Sequence, residues 1–240
     1  MAQVALIVYD KNNPYTPAIQ IKQRLEGNGH AVTYIDWDEP AWDYSPYDLI
    51  YLSYEVAMGA PMPYNVNKPV GLMAYMLYDE FKLGSNWVVY SVWENIYIED
   101  NAHYITKPYS LGFLDVAATP KSFIPVTGFA NDVKSLAKID SPPINSVIAI
   151  CETGQQLYDG TIAAARRAAY GIYITNDINA DGWNLFDRQI VWLLGEEPRP
   201  YPVARLKKGF VSGHHCFMSN YITAKVKDYT PLKLPDGTIF

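Results

Sequence analysis

Val4-Ala5-Leu6-Ile7-Val8-Tyr9 is an unbroken apolar run, and nothing in the chain constrains its fold more. A strand with one face in water alternates apolar and polar residues, whereas a run apolar throughout is covered on both faces. Thr16-Pro17 follows as an N-cap and first-turn proline, with Ile21 and Leu25 at helical spacing and Gly27 and Gly29 as the stop. Ala31-Val32-Thr33-Tyr34-Ile35 is the next strand, closed by Asp36-Trp37-Asp38-Glu39-Pro40, and Asp48-Leu49-Ile50-Tyr51-Leu52 is a third. Buried strands separated by a helix or a long loop require crossover connections, so the order predicts an α/β fold with a mainly parallel central sheet.

Lys68-Pro69-Val70-Gly71-Leu72-Met73 reads as a fourth strand, with a short helix over 75–81 closed by Gly84 and another strand over 87–92. Residues 94–143 mix short β-like runs with Pro108, Pro120 and Pro125, a pattern of loops and hairpins laid over a core. Ser146-Val147-Ile148-Ala149-Ile150-Cys151 is again a buried strand, and a β-like run covers 168–174. The last helix is capped by Asn179 or Asp181, carries Trp183, Phe186, Ile190, Leu193 and Leu194 on one face, and ends at Gly195. The proline-rich stretch Pro198-Arg199-Pro200-Tyr201-Pro202 then divides a domain over 1–197 from an irregular C-terminal extension over 198–240.

Composition narrows the function classes. With 49% apolar and 18% charged residues in 240, a large core is available. A net charge of −6, with no basic cluster larger than Lys207-Lys208, argues against a phosphate-backbone partner. No apolar run reaches the roughly 20 residues of a membrane span. Met1-Ala2-Gln3 carries no basic residue, so the start predicts no signal peptide and a cytoplasmic product. Two cysteines, Cys151 and Cys216, are too few for a disulfide scaffold and read as reduced thiols. Twenty tyrosines and six tryptophans point to protein–protein surfaces, with a homo-oligomer or other protein subunits as partners.

Gly29-His30-Ala31-Val32-Thr33-Tyr34, Tyr47-Asp48-Leu49-Ile50, Lys68-Pro69-Val70-Gly71, His103-Tyr104-Ile105-Thr106 and Asp181-Gly182-Trp183-Asn184-Leu185-Phe186 together carry a resemblance. The chain resembles the class I glutamine amidotransferase-like superfamily, of flavodoxin-like α/β fold, in its divergent branch near the trehalose-utilisation-like proteins. The resemblance spans roughly residues 3–195, and the tail after Pro198 matches nothing. It implies a nucleophilic cysteine on a sharp strand-to-helix turn, where this chain has Gly71-Leu72-Met73-Ala74-Tyr75-Met76. Neither Met73 nor Ala74 can attack a carbonyl. The partner histidine and glutamate are implied near 174–178, where no histidine stands. A chain of this kind is expected to lack amidotransferase activity and to need no cofactor.

Other candidates rest on position. The carboxyl edge of a parallel sheet is where open α/β folds bind ligands, which makes Asp10, Asn12, Asn13, Glu55 and Glu152 the expected pocket rim, although aspartates also close turns. No Gly-x-Gly-x-x-Gly follows the first strand, so a dinucleotide site has no support in the sequence. Trp37, Trp42, Tyr44, Tyr47, Tyr51 and Tyr54 suit a sugar-stacking platform, and equally a core or an interface. Cys151 as a nucleophile needs a base such as His103 or His30; a buried thiol at a strand end is the plainer reading. His214 and Cys216 are the weak metal candidates, since alternate residues of an extended segment share a face.

Phe210, Phe217, Met218, Tyr221, Tyr229 and Phe240 make the extension too apolar for a free tail, so it is expected to pack on its own domain or on a neighbour. The leading expectation is a non-catalytic amidotransferase-like domain serving as a structural or interaction subunit of a larger assembly such as a virion. The alternative is a hydrolase-like enzyme or a small-molecule or carbohydrate-binding protein using the carboxyl edge, with Asp10, Glu55 and Glu152 converging. Light scattering on the full chain is expected to give a mass above one chain, and a chain ending at Pro198 the mass of a monomer; equal monomeric masses defeat the assembly reading.

Overall fold

The computed structural model describes residues 1–39, 43–56, 66–139, 145–173 and 177–198. Its elements belong to Met1–Glu197, a unit with its own core. They are β1 (Gln3–Val8), α1 (Thr16–Gly27), β2 (Ala31–Asp36), β3 (Leu49–Leu52), β4 (Val70–Leu72), a 3-10 helix (Tyr75–Leu77), β5 (Asn86–Trp87), β6 (Tyr90–Trp93), β7 (Asn95–Ile98), β8 (Gly112–Asp115), β9 (Lys121–Phe123), β10 (Val126–Thr127), β11 (Lys134–Lys138), β12 (Ser146–Cys151), β13 (Arg167–Tyr170) and α2 (Ala180–Leu193).

The main path of the large sheet runs β2-β1-β3-β4-β13-β12-β11-β7-β8. From β2 to β13 every neighbouring pair is parallel, and from β13 to β8 every pair is antiparallel. The sheet is therefore parallel at its centre, as the buried runs predict, but its far side is an antiparallel extension built from the stretch that reads as loops and hairpins. Period-2 alternation divides the residues of β1 between the two faces. Val4, Leu6 and Val8 enter one core layer, and Ala5 and Ile7 enter the other.

Both α-helices lie on one layer. Ala18, Ile21 and Leu25 of α1 share it with Leu185, Phe186, Ile190 and Trp192 of α2. The opposite layer has no α-helix among the described residues and is covered by the 3-10 turn and loops, including Leu77, Tyr78, Phe81, Leu83 and Leu157. The two α-helices of the described residues thus flank the sheet on one face. Proline accounts for part of this: Pro46 and Pro69 break the connections on either side of β3. The helix expected over 75–81 is one 3-10 turn that continues as hydrogen-bonded turns, Phe81 N donating to Leu77 O at 3.0 Å and Leu83 N to Tyr78 O at 2.9 Å. The strand expected over 87–92 splits into β5 and β6. Thr16 is the first helical residue rather than the cap; Tyr15 holds the cap position and offers no side-chain bond.

Asn179 caps α2, its side chain accepting from Asp181 N at 2.9 Å and Gly182 N at 3.0 Å. Three further contacts fasten the helix. Gln189 Nε2 donates to Ala169 O at 3.0 Å, Tyr170 donates its hydroxyl to Gly182 O at 2.7 Å, and Arg24 of α1 pairs with Asp187 at 2.5 Å. Gly182 is the close approach: a Cβ there sits 2.5 Å from the Val116 carbonyl oxygen. Helix propensity alone favours alanine over glycine by about 1 kcal/mol. Backbone cannot yield to that overlap, so Gly182→Ala is expected to destabilise by roughly 1–3 kcal/mol in urea unfolding.

Candidate functional site

Register brings the carboxyl ends of the parallel strands level: Val8 lies opposite Asp36, Ile7 opposite Leu52, and Leu72 opposite both Leu52 and Ala169. Chain order reverses direction between β1 and β3, because β2 lies on the other side of β1. Such a reversal opens a crevice beyond the strand ends, where α/β sheets bind ligands.

Glu55 stands beyond β3 at this point. Its Oε2 accepts from Ser53 Oγ at 2.5 Å, and the Tyr15 backbone N–H of the β1–α1 loop also bonds the carboxylate. Oε1 is buried and has no hydrogen-bond partner among the described residues. Burial pushes the Glu55 carboxyl above its ordinary value, against the pull of those hydrogen bonds. Its charge is felt by Tyr34 of β2 and Tyr173 beyond β13, so the carboxylate faces phenols from both sides of the crevice.

Aromatic rings line the edge. Tyr173 meets Tyr54 at 4.4 Å between centroids, Tyr54 meets Tyr75 at 5.5 Å, and Tyr75 meets Trp87 at 4.6 Å. All four rings are partly exposed. Tyr54 packs against the helix-covered layer and Tyr75 and Trp87 against the other, so the row passes over the end of the sheet. On the β1 side Tyr9 stacks on Trp37 at 5.8 Å and 13°, with Tyr15 at 6.3 Å from Tyr9. Each such pair contributes about 0.5–1.5 kcal/mol beyond its buried area, which keeps the rim ordered.

The other expected rim residues are differently placed. Asp10 does follow β1, but its Oδ1 accepts from Asn12 N at 2.8 Å and its carbonyl from Asn13 N at 3.1 Å, an Asx turn. Asn12 and Asn13 are exposed, and Asp36 is paired with Lys11 at 3.2 Å. Glu152 does not join Asp10 and Glu55. It follows β12, which runs antiparallel to β13, so this strand end lies at the amino edge, where Cys151 faces Arg167. There Glu152 accepts from Arg166 Nε at 3.1 Å and Trp192 Nε1 at 3.2 Å, pinning the end of α2. The strand-end rule holds only for the parallel half of the sheet, and β12 is outside it.

Cys151 is buried, its Sγ lying 3.8 Å and 3.7 Å from the carbonyls of Glu152 and Gln156. Burial pushes the thiol up to about 11, which leaves it protonated at neutral pH. His103 stands against Trp192 at 5.4 Å and accepts from Ile105 N, with its imidazole pushed down by burial. Met73 and Ala74 do occupy the turn leaving β4, both buried. Neither is among the positive-φ residues, and Ala74 has φ −69°, so the backbone lacks the strain of a nucleophile elbow. Of the other aromatics singled out, Tyr51 is fully buried, Tyr44 and Tyr47 pack on the loop-covered layer, and Trp42 lies outside the described residues. His214, Cys216, Phe210, Phe217, Met218, Tyr221, Tyr229 and Phe240 also lie outside them. Among the described residues no cluster of three or more His, Cys, Asp or Glu is arranged to hold a metal, and no helix is long and apolar enough to cross a membrane.

Tyr75, Trp87 and Tyr173 are the rim residues that sequence reasoning passes over. A signal exists for two of them: Tyr75 and Tyr173, like Tyr9, Trp37 and Tyr54, come within three residues of the end of a parallel strand, whereas Trp87 does not.

No family model matches the chain, and no curated protein matches it. Among solved structures it is similar to a Thermoplasma acidophilum protein provisionally named as part of a GMP synthase, with a TM-score of 0.50, 11% identity, and coverage of 82% of this chain and 94% of that one. It is also similar to a glutamine amidotransferase of Thermotoga maritima, with a TM-score of 0.40, 10% identity, and coverage of 81% and 83%. The first likeness shows that the chain shares the α/β fold of that protein.

A carboxyl held above its ordinary value makes the folded state the better proton binder between the two values, so stability falls as pH rises through that window. Glu55→Gln removes this. The melting temperature of Glu55→Gln is therefore expected to gain on wild type as pH is raised from about 4.5 toward 8; a difference flat with pH rejects a desolvated carboxylate.

Proposed function

We propose that this chain is a non-catalytic domain of amidotransferase-like fold that binds a small polar molecule at the carboxyl edge of its sheet, around Glu55. The observation that carries the reading is the buried Oε1, a charged acceptor without a donor among the described residues, set at the β1–β3 reversal among half-exposed rings. An unsatisfied buried carboxylate oxygen costs about 1–3 kcal/mol or more, a cost that a ligand donor removes.

Amidotransfer finds no support in the residues. The chain has methionine and alanine on the β4 turn, and its remaining described thiol is protonated and buried at the opposite edge. Group transfer also needs a base near the nucleophile, and residues 174–178 contain no histidine. A second reading, a subunit of a larger assembly, draws on the apolar residues of 203–240 and is tested by the solution mass of the full chain.

The full chain incubated with glutamine is expected to release no ammonia above a protein-free control. In a thermal-shift panel of ammonium salts, sugars and amino acids, a compound that raises the melting temperature is expected to lose at least half of its shift in Glu55→Gln and in Tyr54→Ala. Ammonia release, or shifts that survive both substitutions, defeats the proposal.

A further inference from the structure

The ligand class follows from what surrounds Glu55, and the argument rests on the carboxyl-edge site proposed above. Hydrogen bonds and desolvation, with no lysine or arginine, set the state of its carboxyl among the described residues. Lys11, at the same edge, is held by Asp36 and Glu39, each at 3.2 Å. Residues 57–65 and 174–176, which follow Val56 and Tyr173 in the chain, contain no lysine or arginine. The carboxylate thus has a free oxygen and no counter-ion among the described residues.

The walls have the same sign. The face of an aromatic ring is the negative end of its quadrupole, and it attracts a cation within about 6 Å of its centroid. Tyr173, Tyr54, Tyr75 and Trp87 form a continuous row of such rings at 4.4–5.5 Å spacing beside Glu55. Neutral sugars stack on rings too, but recognition of their hydroxyls requires several convergent donors and acceptors. Here Asp10 Oδ1 is spent on its own turn and Ser53 on Glu55. An amino acid brings a carboxylate of its own, which this edge repels.

We propose that the edge takes a small organic cation, an alkylammonium or quaternary ammonium group, with Glu55 as its counter-ion and Tyr54, Tyr75 and Tyr173 as its walls. Tyr34 and Tyr173 are the titratable side chains that feel the same carboxylate, and burial pushes both phenols up, so titration of Glu55 is what couples binding to pH. Only the ionised carboxylate pairs with a cation, so affinity rises with pH through the Glu55 titration.

Calorimetric titration of the full chain with tetramethylammonium chloride tests this, with tert-butanol as an uncharged probe of similar size and glucose as a polyol. Wild type is expected to bind tetramethylammonium at least tenfold tighter than tert-butanol and more tightly at pH 8 than at pH 5. Glu55→Gln is expected to lose tenfold or more, and the half-exposed Tyr75→Leu, which threatens the fold less, severalfold. Glucose or tert-butanol bound as tightly as the cation, through Glu55 and Tyr75, overturns the cation class and leaves the carboxyl-edge site standing. No binding of any probe to folded protein at millimolar concentrations overturns the cation class; if the wider thermal-shift panel is also silent, the site falls with it.

Discussion

The guanidinium of Arg167 decides where two central strands begin. It is 2% exposed, and its bonds run to backbone carbonyls: Val66 O at 2.5 Å, Lys68 O at 2.8 Å, Ala165 O and Arg166 O at 3.1 Å. A cation this deep is costly, and burial pushes it down to about 10. It is retained at the first residue of β13, opposite Val70 and Cys151, where the amino edge presents carbonyls without a helix to take them. Lysine, a point charge, cannot reach four carbonyls on two chain segments as a planar fork does. With the starts of β4 and β13 fixed there, Leu72 and Ala169 come level at the other end. Tyr75 and Tyr173 then flank Tyr54. The rim of the candidate site is thus a consequence of register set at the opposite edge.

The two edges differ in how their charges are satisfied. At the amino edge Arg166 bonds Glu152, Glu197 and the Trp192 carbonyl, and Arg188 bonds the carbonyls of Tyr104 and Ile105. Those groups are paired and hold α2 to the sheet. At the carboxyl edge Lys11 ties the β1–α1 loop to Asp36, while Glu55 keeps one oxygen without a donor among the described residues. Arg167 Nε and Glu80 Oε2 are likewise buried without a partner among the described residues, so what sets Glu55 apart is its place at the β1–β3 reversal beside half-exposed rings.

Much of the fold is legible in the residues. Buried strands announce themselves by continuous apolar runs, and β1, β2, β3, β4 and β12 lie where those runs fall. The α2 cap at Asn179 and its stop at Gly195 follow local rules that need no tertiary information. The antiparallel half is illegible because β7, β8 and β11 are short and half-exposed, and the β7–β11 pairing that joins them to the sheet links Ala137 to Ile98, far apart in sequence. Direction matters most for the site. Residues 146–151 read as a buried strand regardless of which way it runs, so sequence reasoning puts Glu152 at the wrong edge. Glu55 is found because β3 is parallel; Tyr75, Trp87 and Tyr173 are not, since single aromatic residues scattered over a hundred positions form a row only after folding.

Placing both α-helices on one side gives the sheet unequal shelter. The helix-covered side is closed by two rigid elements tied together by Arg24 and Asp187. The other relies on turns whose bonds are local, such as those between Ala74 and Gly84. The side chains under those turns, Leu77, Tyr78, Phe81 and Leu83, are nonetheless fully buried, so this cover is held by packing rather than by α-helical bonds. Tyr75 belongs to that cover. The candidate site therefore has one wall, Tyr54, on the helix-covered layer and another, Tyr75, on the layer that turns cover, so its two sides are held by different kinds of structure.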